Sequence, residues 1–536
     1  MKYISYKESN IKEEQRKINN ANYIKEQLQQ QKEYFDNMFK TIDSNIKLDQ
    51  EQRKIILTDE DNLMVIAGAG AGKTTTITAK VNYLIEKKHI KEEEILIITF
   101  TNKAVQELKE RINKEFKHKI EIATFHKFGY EIIKQNMNPI PKILKNPEEI
   151  VEKYINQEKT KTKNKKLKRL KKYIMHYISK ANKNEIKQMT HYCMTYITLV
   201  KSTQSKLQNK VKNKKLKKTI RILEEMYNYY ETEKEKINRI DFDDIIIKAE
   251  QIIKETNIKT KYKYIIIDEY QDISESRFKL IKALTNKNKS KLMTVGDDWQ
   301  CIYGFAASNI NLFTHFEQNI ENCKILKITN TYRNSQQLIN IAGEFIQQNP
   351  NQIKKKLKST KQLDNPVKII KYKNGNKTNT NKIEKLIQIL DYIIKKYGEK
   401  KNILILGRYT FDKNEIINNK ILFESNNNIE YKKYPNTKIE YMTIHSSKGL
   451  GYDNVILINT KNEKLGFPSK IEVDPILDKL IKKDKTIKYS EERRLFYVAL
   501  TRTKNEIIIM TPTKKQSRFI KELKKHKNVM ISSNIK

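Results

Sequence analysis

The chain has 536 residues, too many for one compact core, so two or more domains are expected. A formal net charge of +43, from 107 Lys and Arg against 64 Asp and Glu, indicates nucleic acid as partner, because lysine-rich codon bias alone does not explain the shortage of acidic residues. Three separated cysteines without a CxxC pair argue against zinc, iron–sulfur or disulfide frameworks, and the lack of a long apolar stretch predicts a cytoplasmic protein without membrane spans.

The pattern of apolar runs along the chain predicts an α/β fold. Residues 1–46 are rich in Lys, Glu, Gln and Asn and predict short polar helices rather than a core, with a protein partner as one use. From Leu63 onward, apolar runs such as LMVIAG, EILIITF, YIIIDE and NVILIN recur between amphipathic stretches, as is typical of buried parallel strands. Between Gly129 and Asp241 the runs stop, which predicts a Lys-rich helical insertion whose basic segment faces either DNA or solvent.

The segment AGAGAGKTTT follows an apolar run and precedes a helical pattern, which is the context of a P-loop. Its glycines allow backbone N–H groups to point at phosphate oxygens where a helix begins. Lys73 is expected to reach the β- and γ-phosphates of ATP, and the Thr74 hydroxyl is expected to bind Mg²⁺. The predicted nucleotide-binding residues of this segment are Gly68, Ala69, Gly70, Ala71, Gly72, Lys73, Thr74 and Thr75.

An acidic motif, YIIIDEYQD, supplies the partner that a P-loop needs. Asp268 is predicted to hold Mg²⁺ through water, and Glu269 is predicted to orient the attacking water or accept its proton. An Asp-Glu pair after an apolar run is common on protein surfaces, but together with the P-loop it indicates a nucleoside triphosphatase.

This acidic motif, with TVGDDWQCIYGF downstream, resembles the UvrD/Rep class of superfamily 1A DNA helicases. The ordered motifs LDQEQ, TFTNKA, ATFHKFG, DFDD, NTYRN, YMTIHSSKGL and EERRLFYVALTR extend the resemblance over most of the chain. Trp299 and the NTYRNSQQLINIAGEFIQQNP segment are most similar to the DNA helicase IV subfamily, without its long N-terminal extension.

The resemblance implies two RecA-like domains. The expected first domain covers residues 47–128 and 236–325, with the helical insertion at 129–235, and the second covers residues 326–536. The segment between Thr410 and Tyr441 is short, so the large accessory domain of UvrD and Rep is expected to be absent, which leaves processive unwinding open.

Further site residues are implied by the resemblance. Gln52 would read adenine, Tyr332 would stack on it, Gln300 would sense the γ-phosphate, and Arg333 and Arg502 would act as arginine fingers. A departure from the family pattern is Gly451, where UvrD has Glu.

Residues expected to contact single-stranded DNA also follow from the resemblance. Aromatic faces stack on bases without sequence preference, although core packing is an alternative for each aromatic residue. The implied DNA-binding residues are Phe100, Thr101, Asn102, Thr124, His126, Tyr303, Phe305, His445 and Ser446.

The sequence thus predicts a nucleoid-associated, ATP-dependent motor that moves 3′ to 5′ on single-stranded DNA or at single-strand/duplex junctions, in repair, recombination or replication. Alternatives are a DNA-stimulated translocase with little unwinding activity and the motor subunit of a repair or phage-defence complex. The chemistry of the residues does not separate DNA from RNA, so the preference for DNA comes from the resemblance.

Overall fold

The computed structural model describes residues 20–40, 43, 46–160, 164–177, 184–207, 211–256, 260–373, 380–417, 421–425, 428–472, 474–481, 484 and 486–535. Two largely parallel β-sheets flanked by helices form two lobes, and this arrangement confirms the α/β fold with two RecA-like domains.

The first lobe is built on a fully parallel sheet. Its strands are β1 Asn62–Ala67, β2 Ile95–Thr99, β3 Glu121–Thr124, β6 Tyr264–Ile267, β7 Lys291–Gly296 and β8 Cys323–Ile328, in the order β3-β2-β6-β7-β1-β8. The surrounding helices are α2 Gln50–Leu57, α3 Lys73–Glu86, α4 Asn102–Phe116, α5 Phe125–Asn136, α10 Phe242–Glu255, α11 Glu275–Asn288, α12 Ile310–Thr314 and α13 Phe316–Asn319. Since β8 pairs with β1, the boundary expected at residue 325 falls inside a strand of this sheet.

The insertion in the first lobe is helical, as the loss of apolar runs predicts. It comprises β4 Lys142–Ile143, α6 Pro147–Thr160, α7 Lys165–Tyr177, α8 Glu185–Thr203, α9 Lys214–Lys236 and β5 Arg239–Ile240. Within the basic segment, residues 161–163 lie outside the described residues. Leu170 and Ile174 point inward, while Lys166 and Lys171 pair with Glu225 and Glu185.

The second lobe has a mixed sheet. Its strands are β9 Val367–Tyr372, β10 Ile403–Gly407, β11 Leu422–Ser425, β12 Asn428–Tyr431, β13 Ile439–Thr443, β14 Asn454–Leu457, β15 Ile507–Pro512 and β16 Val529–Ser532, in the order β11-β12-β13-β10-β14-β15-β9-β16. Its helices are α14 Gln336–Ile346, α15 Thr380–Tyr397, α16 Pro475–Leu480, α17 Ser490–Leu500 and α18 Arg518–Leu523. Between Thr410 and Tyr441, β11 and β12 form an antiparallel hairpin at the sheet edge, so the described part of this segment holds no separate domain.

Helix α16 joins the second lobe to the helical insertion. Ile476 and Leu480 are buried in the core of the insertion, and the Tyr192 hydroxyl donates to Asp474 Oδ1 at 3.0 Å. Contact between the lobes therefore extends beyond the sheets.

The N-terminal segment contributes to a core, contrary to expectation. Residues 20–30 are helical, and helix α1, Lys32–Asn37, follows. Phe35 and Phe39 are buried, and the Phe35 ring stacks on Tyr83 of α3 at 6.2 Å between centroids. The expectation of polar helices without a core was wrong here because a few aromatic residues among many polar ones are enough to dock a helix. Residues 1–19 lie outside the described part.

None of the described helices is both long enough and apolar enough to cross a bilayer.

Candidate active site

The loop between β1 and α3 has the geometry of a phosphate cradle. Gly70 and Gly72 have φ angles of 71° and 77°, which glycine adopts without steric penalty. Gly72 directly precedes Lys73, the first residue of α3, so the loop ends where unpaired N–H groups and the helix dipole favour an anion. A Cβ at Gly70 would lie 2.5 Å from Cβ of Arg333, because the second lobe approaches the loop closely.

Lys73 faces the two carboxylates of the acidic motif. Its Nζ lies 2.6 Å from Oε1 of Glu269, and Gln271 donates to the other oxygen. Burial disfavours ionised Glu269, but Lys73 and Lys448 outweigh it and lower the pKa of Glu269 to about 2. Burial and the neighbouring charge of Glu269 raise the pKa of Asp268 to about 6. Glu269 is thus an ionised base beside the loop.

Thr74 and Asp268 fit the requirements of a divalent cation. Mg²⁺ prefers oxygen ligands, and these residues supply a hydroxyl and a carboxylate. Asp268 is buried, and its raised pKa marks a carboxylate that a nearby cation would stabilise.

Arg333 and Arg502 reach the cavity from the second lobe. Arg502 is fully buried and donates to the carbonyls of Val498 and Leu450 at 3.0 Å and to Oε1 of Gln300 at 2.9 Å. Burial and the adjacent Arg333 lower the pKa of Arg502 to about 9, so it stays charged at neutral pH. Neither guanidinium forms an ion pair with a carboxylate in the described part of the chain. Two neighbouring cations, the buried Arg502 and the half-buried Arg333, without an ion-pair partner among the described residues are suited to hold an anion.

The loop, the acidic motif and the arginines enclose a cavity of about 460 Å³ between the lobes. Five lining residues were missed by the sequence reasoning. Glu107 and Arg111 lie one turn apart on α4, and their spacing after TFTNKA was a usable signal. Gly449 lies within the YMTIHSSKGL motif, whereas no local signal marked Lys361 and Lys504. The lining residues are Gly70, Ala71, Gly72, Lys73, Thr74, Thr75, Glu107, Arg111, Glu269, Gln300, Tyr332, Arg333, Lys361, Gly449, Arg502 and Lys504.

Two planar side chains on the cavity wall can stack on a base. Tyr332 is 59% exposed, and its hydroxyl donates to Asp49 Oδ2 at 2.9 Å. Arg111 carries a planar guanidinium and pairs with Glu115.

Three residues predicted to bind nucleotide lie outside the cavity wall. Gln52 is buried, and its Oε1 accepts from the backbone N–H of Asp49 in a capping box. Ala69 is buried, and its carbonyl accepts from Thr331 Oγ1 at 2.7 Å, while Gly68 faces the side chain of Leu357. In this structure these residues support the loop instead of facing the cavity.

An aromatic cluster joins the two lobes. The Tyr303 and Phe305 rings lie 6.0 Å apart, and Phe305 lies 5.5 Å from the His445 ring of the second lobe. Phe305 is 56% exposed. Lys448 Nζ lies 4.8 Å from the centre of the Tyr303 ring and also pairs with Asp272, so the cluster connects to the acidic motif.

A second aromatic cluster lies on the first lobe. Phe100 packs on Phe125 at 5.2 Å and lies under the Arg277 guanidinium, so the core-packing alternative holds in part for Phe100. His126 meets the edge of Phe242, which is 59% exposed. Phe242 was missed by the sequence reasoning, although the DFDD motif contains it and an aromatic residue among carboxylates was the available signal.

The polar residues predicted to hold a nucleic-acid backbone lie at exposed turns. Thr101 and Thr124 use their hydroxyls to cap α4 and α5, with Ala104 and Lys127 as the backbone donors, a structural role that the sequence reasoning did not include. Asn102 and Ser446 are exposed.

Both histidines predicted to contact DNA are neutral at physiological pH. Burial, followed by Arg277, lowers the pKa of His126 to about 4. Burial, followed by Arg408 and Lys448, lowers the pKa of His445 to about 4. They can therefore act as hydrogen-bonding or stacking groups, but not as cations.

Comparisons with known proteins agree with this geometry. A family model described as the UvrD/REP helicase N-terminal domain matches residues 48–321. DNA helicase IV of Escherichia coli (strain K12) is 27% identical over 519 residues, which cover 92% of this chain and 72% of that protein. ATP-dependent DNA helicase Rep of Buchnera aphidicola subsp. Acyrthosiphon pisum is 30% identical over 372 residues, 66% of this chain and 53% of Rep. ATP-dependent DNA helicase PcrA of Staphylococcus epidermidis is 27% identical over 319 residues, 56% of this chain and 40% of PcrA. The chain therefore spans about half or less of the length of the latter two relatives.

Proposed function

Because this chain belongs to the UvrD/REP helicase family, we propose that it is an ATP-dependent DNA motor that moves 3′ to 5′ along single-stranded DNA. The UvrD/Rep resemblance predicted from the motifs is confirmed by these matches, and all three relatives are named as DNA helicases, with Rep and PcrA named as ATP-dependent. The resemblance is the basis for the direction of movement, for a role in repair, recombination or replication, and for association with the nucleoid.

One observation carries the enzymatic part of the proposal. A phosphate cradle on one lobe faces two guanidinium groups from the other, the buried Arg502 and the half-buried Arg333, and neither forms an ion pair with a carboxylate among the described residues. A triphosphate bound to the loop supplies the missing negative charge and draws the lobes together. Hydrolysis removes part of that charge and weakens the closure.

The residues around the cavity account for hydrolysis. Lys73 holds the β- and γ-phosphates, and Glu269 orients the attacking water and accepts its proton. Arg333, Arg502 and Gln300 stabilise the charge that builds on the γ-phosphate. Mg²⁺, held by Thr74 and Asp268, would neutralise phosphate charge.

The two aromatic clusters support a single-stranded polynucleotide as the track. Exposed rings stack on bases of any sequence, and the cluster around Tyr303 contains residues of both lobes. A change in lobe position therefore moves one part of the grip relative to the other. The overall charge of +43 supports the same partner.

A translocase with little unwinding activity is the second candidate. It is favoured by the segment between Thr410 and Tyr441, because the described residues there form the β11–β12 hairpin and no large accessory domain. A forked-duplex assay with ATP separates the two candidates, because only a helicase releases the displaced strand.

The decisive measurement is the ATPase rate with single-stranded DNA, duplex DNA and RNA as separate additions. We expect the largest stimulation by single-stranded DNA. Glu269→Gln should lower the stimulated kcat by roughly 10²- to 10⁴-fold, since it removes the base but not the binding surface. Lys87→Ala, an exposed change just beyond α3, is the control. Turnover indifferent to every nucleic acid, or unaffected by Glu269→Gln, would contradict the proposal.

A further inference from the structure

Lys355 is a buried cation in the segment between α14 and β9. Its side chain is 1% exposed, and its Nζ binds Oδ1 of Asp297 and, at 2.7 Å, Oδ1 of Asp298. The ammonium also lies 4.3 Å from the centre of the Trp299 ring. These partners belong to the GDDWQ turn that follows β7 of the first lobe, so Lys355 connects that turn to the segment between α14 and β9 of the second lobe.

The second carboxylate oxygens of Asp297 and Asp298 accept hydrogen bonds from different parts of the chain. Oδ2 of Asp298 accepts from the backbone N–H of Ile353 at 2.8 Å and from Nε2 of Gln352 at 3.0 Å, so its contacts return to the segment that carries Lys355. Oδ2 of Asp297 accepts from Nε2 of Gln300 at 2.7 Å, so its contacts continue into the cavity wall.

Gln300 is fixed at both ends of its amide. Its nitrogen donates to Asp297, and its oxygen accepts from Nη2 of Arg502 at 2.9 Å. An amide has one donor end and one acceptor end, so these two contacts fix the orientation of the Gln300 amide. The chain of contacts runs from Lys355 through Asp297 and Gln300 to Arg502.

Trp299 attaches the same turn to the second lobe. It is fully buried in the core of that lobe, meets Tyr497 of α17 edge-on at 5.3 Å, and donates to the carbonyl of Ile353 at 3.0 Å. The turn that carries Gln300 is therefore continuous with the first sheet but packed by the second lobe.

We infer that Lys355 is a positioning residue for ATP hydrolysis, which holds the γ-phosphate sensor Gln300 in register with Arg502 through Asp297. The inference rests on the proposed function and deepens it. Both aspartates are fully buried, so without Lys355 two adjacent carboxylates lack a counter-charge, and Asp297 is no longer held where it orients the Gln300 amide. Gln300 acts on charge that develops during the reaction, so the effect belongs to kcat and not to the binding of ATP.

The test is a double-mutant cycle measured by steady-state ATPase with saturating single-stranded DNA. Lys355→Met keeps the length of the side chain and removes its charge. We expect kcat to fall by about 10-fold or more while the KM for ATP changes by less than about 3-fold. In a Gln300→Ala background the same substitution should change kcat by less than about 2-fold, because the residue through which it acts is already gone. Lys356→Met, at the exposed neighbouring position, is the matched control.

A second pair of variants applies even if Lys355→Met does not fold. Asp297→Asn and Asp298→Asn each retain Lys355 and remove one negative charge. We expect Asp297→Asn to lower kcat and Asp298→Asn to leave it near the wild-type value, since the Asp297 carboxylate binds Gln300 directly, whereas the Asp298 carboxylate accepts from Lys355, Gln352 and Ile353. Equal effects of the two changes, or losses that multiply between Lys355→Met and Gln300→Ala in an active enzyme, would overturn the inference. A wild-type chain without ATPase activity would instead overturn the proposed function.

Discussion

The cavity between the lobes and the two aromatic clusters hold their side chains in different ways. In the cavity, Lys73 is paired with Glu269, and Arg502 is fully buried with four of its neighbours accepting from it. In the clusters, Phe242 and Phe305 are more than half exposed, and each ring meets the ring of a histidine.

This difference matches the demands of the two tasks proposed for these regions, ATP hydrolysis and a grip on single-stranded DNA. Hydrolysis requires groups that are already placed where charge develops, so the side chains must be locked by partners. A sequence-independent grip requires ring faces that successive bases can reach and leave, so exposure is compatible with function. Substitutions should therefore have large effects on turnover in the cavity and moderate effects on affinity in the clusters.

The largest effect is expected for Arg502→Ala. Removal of a guanidinium that stabilises transition-state charge should lower the DNA-stimulated kcat on the order of 10³-fold. The measurement is steady-state ATPase, with the thermal unfolding midpoint recorded to verify folding. Arg518→Ala, at a position 48% exposed where the guanidinium pairs with Glu522 and lies over the Tyr489 ring, serves as control. A folded Arg502→Ala protein that retained a tenth of the wild-type kcat would contradict the expectation that turnover depends on the fixed charges of the cavity.

Intermediate effects are expected for Phe242→Ala and Phe305→Ala. Stacking contributes about 1–3 kcal/mol per base, so each change should raise the Kd for oligo(dT) by roughly 5- to 150-fold. Fluorescence anisotropy measures this Kd at one fixed salt concentration. Phe411→Ala removes another exposed ring, stacked on Tyr409, and should leave the Kd near the wild-type value. If all three changes had the same effect, the clusters would not be the grip.

The smallest effect is expected from histidine titration. Because burial lowers the pKa of His126 and His445 to about 4, neither imidazole becomes a phosphate-attracting cation between pH 8 and about 5.5. The pH dependence of DNA affinity in this range should thus be the same for wild type, His126→Gln and His445→Gln. Unfolded histidine protonates near pH 6.5, so the neutral folded forms make stability decrease as pH falls from about 6.5 toward 4. A rise in wild-type affinity near pH 6.5 that either variant abolished would contradict the neutral assignment.

Much of the phosphate site could be predicted because its signals are local. Glycines with positive φ, a lysine at a helix start and carboxylates after a buried strand occupy short segments whose geometry is set by neighbours in sequence. The same holds for the two sheets, in which the apolar runs LMVIAG, EILIITF, YIIIDE and NVILIN correspond to β1, β2, β6 and β14.

Other features required the folded chain. The docking of Phe35 on Tyr83 and the exposure of Phe242 depend on contacts or burial that no local pattern records. Lys355 is one of 107 basic residues, and nothing in the sequence distinguishes it from Lys356 beside it.

The sequence by itself determined the fold class, the phosphate loop, the acidic motif and the family, because each is encoded by residue types at short, regular spacings. The tertiary structure alone decided which cations have an ion-pair partner among the described residues and which do not. It also decided that the GDDWQ turn is packed by the second lobe. Those properties depend on burial and on partners tens to hundreds of residues apart, such as Lys355 with Asp297 and Arg502 with Gln300. The electrostatic energy of a charge is set by that environment and not by its place in the chain.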